Sequence, residues 1–310
     1  MRLAIIILNY RTPELTIDCL ASLDGQLETG RDRVIVIDNA SGDDSADRIE
    51  SAVAQRGWQD WVTVRRSAVN GGFAAGNNLA LREIQAEFYV LLNSDTLVRP
   101  GTMSGLLAAA DEHPQAGLLG PSFEEGDGRW SASCFRDFHP ISELVDAACS
   151  GPVTRLFHKY EVSIPAAECT SAVDWVGFAC VLIRRPVIEQ IGLLDDGYFM
   201  YFEDADYCRR ARAGGWQVVH VPQLRVVHFQ GSSSGISPQY IDLRRRPRYY
   251  YAARARYYRN HCGQLGLVAA NLLWNAGRVV SWLREAAGNK RPHARQLQWR
   301  DIWTDCFRAR

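Results

Sequence analysis

Long hydrophobic runs are missing from this 310-residue chain. None approaches the roughly 20 uninterrupted apolar residues that a membrane span needs. The N-terminal run at 3–8 meets polar Asn9 at once and is too short for a secretion signal. Glycine is absent just after that run, from Ile7 to Leu15, which removes the phosphate-cradling loop that dinucleotide-binding folds place there. Cysteine is present eight times, at 19, 134, 149, 169, 180, 208, 262 and 306, but no pair has Cys-x-x-Cys spacing. A zinc knuckle and a small disulfide scaffold are thereby excluded. Most of these thiols are expected to act as small buried apolar residues in a reducing compartment. There is no internal repeat or low-complexity segment. These absences point to a cytoplasmic protein.

Net charge is absent overall, with 35 basic and 35 acidic residues, but it is unevenly spread. Residues 241–310 hold 15 Lys and Arg against 4 Asp and Glu, whereas residues 1–240 hold 20 against 31. That asymmetry suggests a basic tail that meets an anionic partner, for which nucleic acid and an acidic membrane surface both qualify.

What is present is alternation. The β-branched-rich run at 3–8 suits a strand buried on both faces of a parallel sheet. Further strands are predicted at 33–37, 62–65 and 88–92, with helices opening at Pro13, near Asp44 or Ser45, and over 76–84. This pattern predicts a right-handed, mostly parallel α/β sheet. The stretch 117–165 is less regular. A helix is predicted over 187–191, strands over 218–221 and 224–227 split by Pro222, and a flexible Gly/Ser loop over 230–235.

In such a sheet ligands gather at the carboxyl ends of the strands. Asn9-Tyr10, Asp38-Asn39 and Asn93-Ser94-Asp95 all stand at such ends. Asp38 could accept a hydrogen bond from a nucleotide base or simply stabilise its turn. Asp95 could hold Mg²⁺ or Mn²⁺ against a diphosphate, or cap the turn before Pro100. Gly76 and Asn77, in a glycine-rich stretch at 70–78, could contact substrate or serve a turn and cap. The densest chemistry is Glu203, Asp204 and Asp206 after Phe199, Tyr201 and Phe202. Crowded carboxylates raise one another's pKa, so one of them could act as a general base. A helix start favoured by the macrodipole, with Asp206 paired to Arg209 or Arg210, is the plainer explanation. His228 ends a strand and could complete a metal site.

Taken together, ILNYR at 7–11, VIVIDNASGDDS at 34–45, NGGFAAGNN at 70–78, LLNSD at 91–95, DWVGFACVLIRR at 174–185, GYFMYFEDADYCRRARAGGW at 197–216 and VVHFQGSSSG at 226–235 resemble a family 2 glycosyltransferase, most closely its rhamnosyltransferase-like branch. The resemblance covers about residues 3–258. It implies a GT-A fold: a Rossmann-like, mostly parallel sheet flanked by helices over 1–240, with a nucleotide-binding half near 1–120, an acceptor half near 121–240 and a basic helical appendage at 241–310. It implies a dTDP-, UDP- or GDP-sugar donor bound by Asn9, Tyr10, Asp38, Gly76, Asn77, Asn93 and Ser94. Asp95 matches the last acid of the family's Asp-x-Asp motif, with Asn93 in place of the first, and His228 joins it on Mg²⁺ or Mn²⁺. Trp175 and Gly177 resemble the acceptor-side wall. Asp204 resembles the base that deprotonates the acceptor hydroxyl, with Glu203 supporting the acceptor. Inversion in a single displacement is implied, onto a glycan or lipid-linked glycan in bacterial surface polysaccharide synthesis.

Two other classes compete. A nucleotidyltransferase would show a glycine-rich basic loop after the first strand, which is missing. A non-catalytic nucleotide- or RNA-binding module would use the Arg/Tyr tail, but the clustered acids argue against it and no nucleic acid is expected. Within the tail, residues 244–259 are rich in arginine and tyrosine, and Leu265, Val268, Leu272, Val279 and Leu283 follow at helical spacing. Such a segment could lie peripherally on an anionic membrane, basic side down. Alternatively its apolar face packs onto the catalytic domain and its arginines are solvated.

Overall fold

The computed structural model describes residues 1–165, 169–229, 243–288 and 293–308. The predicted loop at 230–235 lies outside the described residues. Along the chain, β1 (Leu3–Asn9), α1 (Pro13–Leu23), β2 (Asp32–Asp38), α2 (Ser45–Gln55), β3 (Val62–Arg66), α3 (Gly72–Glu83) and β4 (Phe88–Asn93) alternate. Then come β5 (Thr96–Val98), α4 (Thr102–Glu112), β6 (Ala116–Glu124), β7 (Trp130–Ser131) and β8 (Cys134–Phe135). Helices α5 (Pro140–Ala148) and α6 (Gly151–Leu156) precede β9 (Ser171–Val173), β10 (Trp175–Val176), β11 (Cys180–Arg184), α7 (Arg185–Ile191), α8 (Glu203–Ala213) and β12 (Gln217–His228). The last elements are α9 (Arg248–Ala286) and α10 (Gln298–Asp301). The chain forms two compact units. One comprises Met1–Phe135, Pro165–Phe199 and Glu203–Gly235, and the other comprises Arg136–Ile164, Met200–Phe202 and Ile236–Arg310.

The first unit is α/β. Its main sheet runs β3-β2-β1-β4-β11-β6-β12-β5, with β7 beside β6 and β9 beside β12. β1, β2, β3 and β4 are parallel, as the βαβ alternation requires. β11 enters antiparallel between β4 and β6. Leu3 through Ile7 are all buried, which fits a strand covered by helices on both faces. The irregular reading of 117–165 missed β6, nine residues buried along their whole length. β12 is one strand of 12 residues, whereas two were predicted; it absorbs Pro222 in a register shift between Val221 and Arg225. Of the cysteines, Cys19, Cys134, Cys180, Cys208 and Cys306 are buried and Cys149 and Cys169 are exposed.

The second unit is helical. α9 bends at Gly263, whose φ of 72° lies in the left-handed region. α5 crosses α9 closely: a Cβ on Gly277 would fall 2.5 Å from the Leu144 carbonyl oxygen. At that crossing the buried Arg254 guanidinium donates to Glu143 at 2.9 Å and to Asn271 at 2.7 Å, and Tyr258 donates to the same carboxylate at 2.9 Å. Removing one member of a buried pair leaves the other charge uncompensated. Glu143→Leu is therefore expected to destabilise the protein by about 3–5 kcal/mol, read as a lower urea midpoint; an unchanged midpoint would contradict it.

Candidate active site

The ends of β1, β2 and β4 meet because their registers align: Asn9 lies beside Asp38, and Leu8 beside Asn93. Asn9 is fully buried. Its amide donates to Asp38 Oδ1 at 2.7 Å and to Ser41 Oγ at 3.2 Å, and its Oδ1 accepts from Thr16 at 2.9 Å. Asp38 also takes hydrogen bonds from the Ser41 hydroxyl at 2.5 Å and its backbone N–H at 3.2 Å. The turn 38–41 is thus closed on the Asp38 carboxylate, and Asn9 fixes that carboxylate from behind. Ser41 was not singled out in the sequence, although a serine three residues after an aspartate at a strand end is the signal of such a turn. Tyr10 is partly exposed, with the Arg11 guanidinium 5.2 Å from its ring centroid.

Beyond β4, Ser94 and Asp95 are buried, at 3% and 1% exposure, while Asn93 is partly open. β5 pairs antiparallel with β12 and sets His228 opposite Thr96. His228 Nε2 consequently stands 3.4 Å from Asp95 Oδ1. The backbone N–H of Phe229 donates to the Asp95 carbonyl at 2.9 Å, and Phe123 meets the His228 ring edge-on at 5.7 Å. Two residues 133 positions apart in the chain are thus joined by strand pairing. A hard carboxylate oxygen and an imidazole nitrogen are a donor pair that suits Mn²⁺ and serves Mg²⁺. Among the described residues no cluster of three or more His, Cys, Asp or Glu side chains forms a complete cage. A cation here fits only if substrate oxygens and water supply its other ligands, which is how Mg²⁺ is usually held beside phosphates.

Glu203 and Asp204 open α8. Burial pushes the Asp204 carboxyl up to about 6, against the opposing effect of the backbone N–H groups of Ala205, Asp204 itself and Phe178. Glu203 is raised well above its ordinary value, first by burial and then by the charges of Asp204 and Asp206. Its Oε2 is buried with no hydrogen-bond partner. Asp206 accepts from Arg210 Nε at 2.8 Å and from the Tyr198 hydroxyl at 3.3 Å. Arg210 also donates to the carbonyls of Ile191 and Leu193, so this third acid is tied into structure.

Gly72 has φ +83° and stands so close to Phe199 that an added Cβ would lie 2.0 Å from its carbonyl oxygen. The Phe73 N–H donates to that same oxygen at 2.7 Å. Residue 72 therefore anchors the chain just before the acidic helix, a function no sequence signal beyond the glycine pair disclosed. Gly76 faces Leu8, whose methyl would be 2.5 Å from a Cβ there, so it lets α3 settle on β1. Asn77 is buried and donates to the Phe73 carbonyl at 2.9 Å. Trp175 stacks on Phe135 with centroids 4.0 Å apart, and the Gly177 N–H donates to the Ser133 carbonyl at 3.0 Å.

The strand ends of this Rossmann-like sheet thus collect Asp38, Asn93 and Asp95, with His228 brought beside the last. The chain belongs to glycosyltransferase family 2: the family model described as glycosyltransferase like family 2 matches residues 1–251. It is similar to the N-acetylglucosaminyl-diphospho-decaprenol L-rhamnosyltransferase of Mycobacterium tuberculosis, at 31% identity over 160 residues. That match covers 49% of this chain and 50% of the relative, so the chain spans about half the length of the curated relative. The structure of GalNAc-T7 with UDP, GalNAc and Mn²⁺ superposes with a TM-score of 0.58 at 12% identity, covering 96% of this chain and 56% of that one. The mannosyltransferase PcManGT of Pyrobaculum calidifontis, in complex with GDP-Man and Mn²⁺, gives 0.53 at 14% identity, covering 93% and 79%. At these identities the structural likeness concerns the fold alone.

Proposed function

We propose that this chain is an inverting, divalent-metal-dependent hexosyltransferase that moves L-rhamnose from dTDP-rhamnose onto a hydroxyl of a lipid-linked glycan in bacterial surface polysaccharide synthesis. The observation that carries the reading is the Asp95–His228 pair, 3.4 Å apart at the strand ends where Asp38 and Asn93 also stand. The rhamnosyl and diphospho-decaprenol parts of the mycobacterial relative's name support the sugar and the acceptor. The Mn²⁺ bound in two structural neighbours supports the cation.

In this reading Asp38 receives the pyrimidine, and Tyr10, Asn93 and Ser94 line the donor. Asn9, Gly76 and Asn77 hold those elements in place from behind. Asp95 and His228 would hold Mg²⁺ or Mn²⁺, which offsets negative charge on the leaving diphosphate. Trp175 and Gly177 form the acceptor wall. Asp204 takes the proton of the acceptor hydroxyl as its oxygen bonds to the anomeric carbon. The bond from that carbon to the diphosphate oxygen breaks on the opposite face, and the configuration inverts. Glu203, whose carboxyl is held well above the ordinary range by burial, orients the acceptor. The enzyme works in the cytoplasm at the inner face of the membrane, with the C-terminal stretch giving peripheral contact.

The test is the thermal midpoint of the purified protein with Mg²⁺ or Mn²⁺ and dTDP, UDP or GDP. A ligand at about a hundred times its Kd adds about 2.7 kcal/mol, a rise of roughly 5–10 °C for a domain of this size. The rise is expected with dTDP, only with metal, and not in Asp95→Ala. A larger rise with UDP or GDP would replace the donor. No rise with any diphosphate would overturn the reading.

A further inference from the structure

The sequence left open whether the tail lies basic side down on an anionic membrane or packs its apolar face onto the catalytic domain with its arginines solvated. Tyr251, Arg254, Tyr257 and Tyr258 are buried. Leu265, Leu272, Val279 and Leu283, by contrast, are 84%, 58%, 56% and 57% exposed, and Trp282 is 58% exposed. Among the described residues, nine of the thirteen exposed large apolar side chains belong to the second unit.

These residues form one surface. Positions 265, 272 and 279 are seven apart, and 276 and 283 each lie four beyond the last two, so all fall on a single helical stripe. From 264 to 283 the helix carries one charge, Arg278, and that guanidinium is engaged by Glu285 at 2.7 and 2.9 Å. The opposite face, with Leu267, Ala270 and Trp274, is buried. This stretch of the helix is therefore mostly apolar but covered on one side only. The bare stripe is about 30 Å long at 1.5 Å per residue.

We propose that this stripe lies in the surface of an anionic lipid bilayer, with the helix parallel to the membrane plane. No described helix is long and apolar enough to cross a membrane, which leaves an in-plane position. Charge selects the occupant. The last 70 residues carry 15 basic against 4 acidic residues, so a second copy would bring like charge to like, whereas anionic headgroups neutralise it. Trp299 and Phe307 are exposed and each is followed by an exposed arginine, Arg300 and Arg308, the combination that suits a headgroup boundary. The surface deepens the proposed peripheral contact and rests on that reading only for its purpose, since binding is measured without donor, acceptor or turnover.

The experiment is flotation of the full chain with vesicles of phosphatidylcholine, with and without phosphatidylglycerol, for the wild type and for Leu272→Glu combined with Val279→Glu. Both positions are exposed, so the double variant should keep the wild-type melting midpoint and nucleoside-diphosphate response. Wild-type protein is expected on phosphatidylglycerol vesicles, weakened by salt, and the variant should bind about a hundredfold less, at about tenfold per charge forced into the acyl boundary. Equal binding by variant and wild type, or no vesicle binding by the wild type, would overturn the proposal. So would a wild-type dimer that the substitutions dissociate without any vesicle binding, an outcome that assigns the stripe to a second copy.

Discussion

Asp204→Asn is expected to remove most sugar transfer while making the protein more stable at neutral pH. The folded carboxyl is raised to about 6, mainly by burial, well above its value in an unfolded chain. An acid whose folded pKa is raised binds its proton more tightly in the native state. Ionising it therefore works against the fold: stability is greatest below the unfolded pKa and declines as pH rises toward about 6. Because residue 204 as a whole is only partly buried, the penalty at pH 7 is about 2 kcal/mol, less than the full linkage value. Asparagine keeps an oxygen for the Ala205 N–H and carries no charge. The melting midpoint at neutral pH should rise by roughly 4–8 °C, and the gain should vanish in acid. Loss of a general base lowers turnover by about 10²–10⁴-fold. In the wild type, kcat/KM should climb with pH up to about 6 and then level, because only the ionised carboxylate can take the acceptor's proton. An Asp204→Asn protein that turns over normally would remove Asp204 from the chemistry; one that melts lower at pH 7 would refute the burial penalty.

Gly72→Ala should be among the most damaging single changes in the first unit. Its Cβ would lie 2.0 Å from the Phe199 oxygen, and φ of +83° adds backbone strain. Gly101 supplies the comparison, since its φ is +80° but nothing lies within 4 Å of its added Cβ. Gly101→Ala therefore reports strain alone, about 1–2 kcal/mol. Gly72→Ala adds a backbone collision and should lose more than about 4 kcal/mol. A displacement of about 1 Å at catalytic groups can cost 10²-fold in rate, so protein that still folds should turn over poorly. Urea midpoints and kcat for both variants check this, and equal effects would show that the contact with Phe199 yields freely.

Three of the strands that could be read directly share one property. β1, β2 and β4 are uninterrupted apolar runs because both of their faces are covered. β6 is equally buried yet contains Gly117, Gly120 and Pro121, which read as turn punctuation. Its glycines exist for contacts distant in sequence: a Cβ at 117 would meet Val187 and Trp216, and one at 120 would meet Val176. The candidate acids were legible because their types are informative at strand ends. The pairing of His228 with Asp95 depended on β5 joining β12, and a three-residue strand leaves no periodic pattern to find. Gly76 and Asn77 show the reverse case, where a glycine-rich stretch suggests a ligand but its tight approaches are to Leu8 and Phe73. The exposed face of α9 was undecidable from spacing, since helical periodicity identifies a stripe without saying what covers it.

Met200–Phe202 belong to the second unit although Phe199 and Glu203 on either side belong to the first. Phe202 holds φ at 68° and packs its ring against Phe138, Tyr250 and Tyr257, drawn from two distant stretches of chain. The C-terminal helices are therefore not an exchangeable cassette. A chimera that swaps them alone would strip Phe202 of its partners one peptide bond from Glu203, so inheritance of a new tail must bring a matching residue 202 and a matching 136–164 with it.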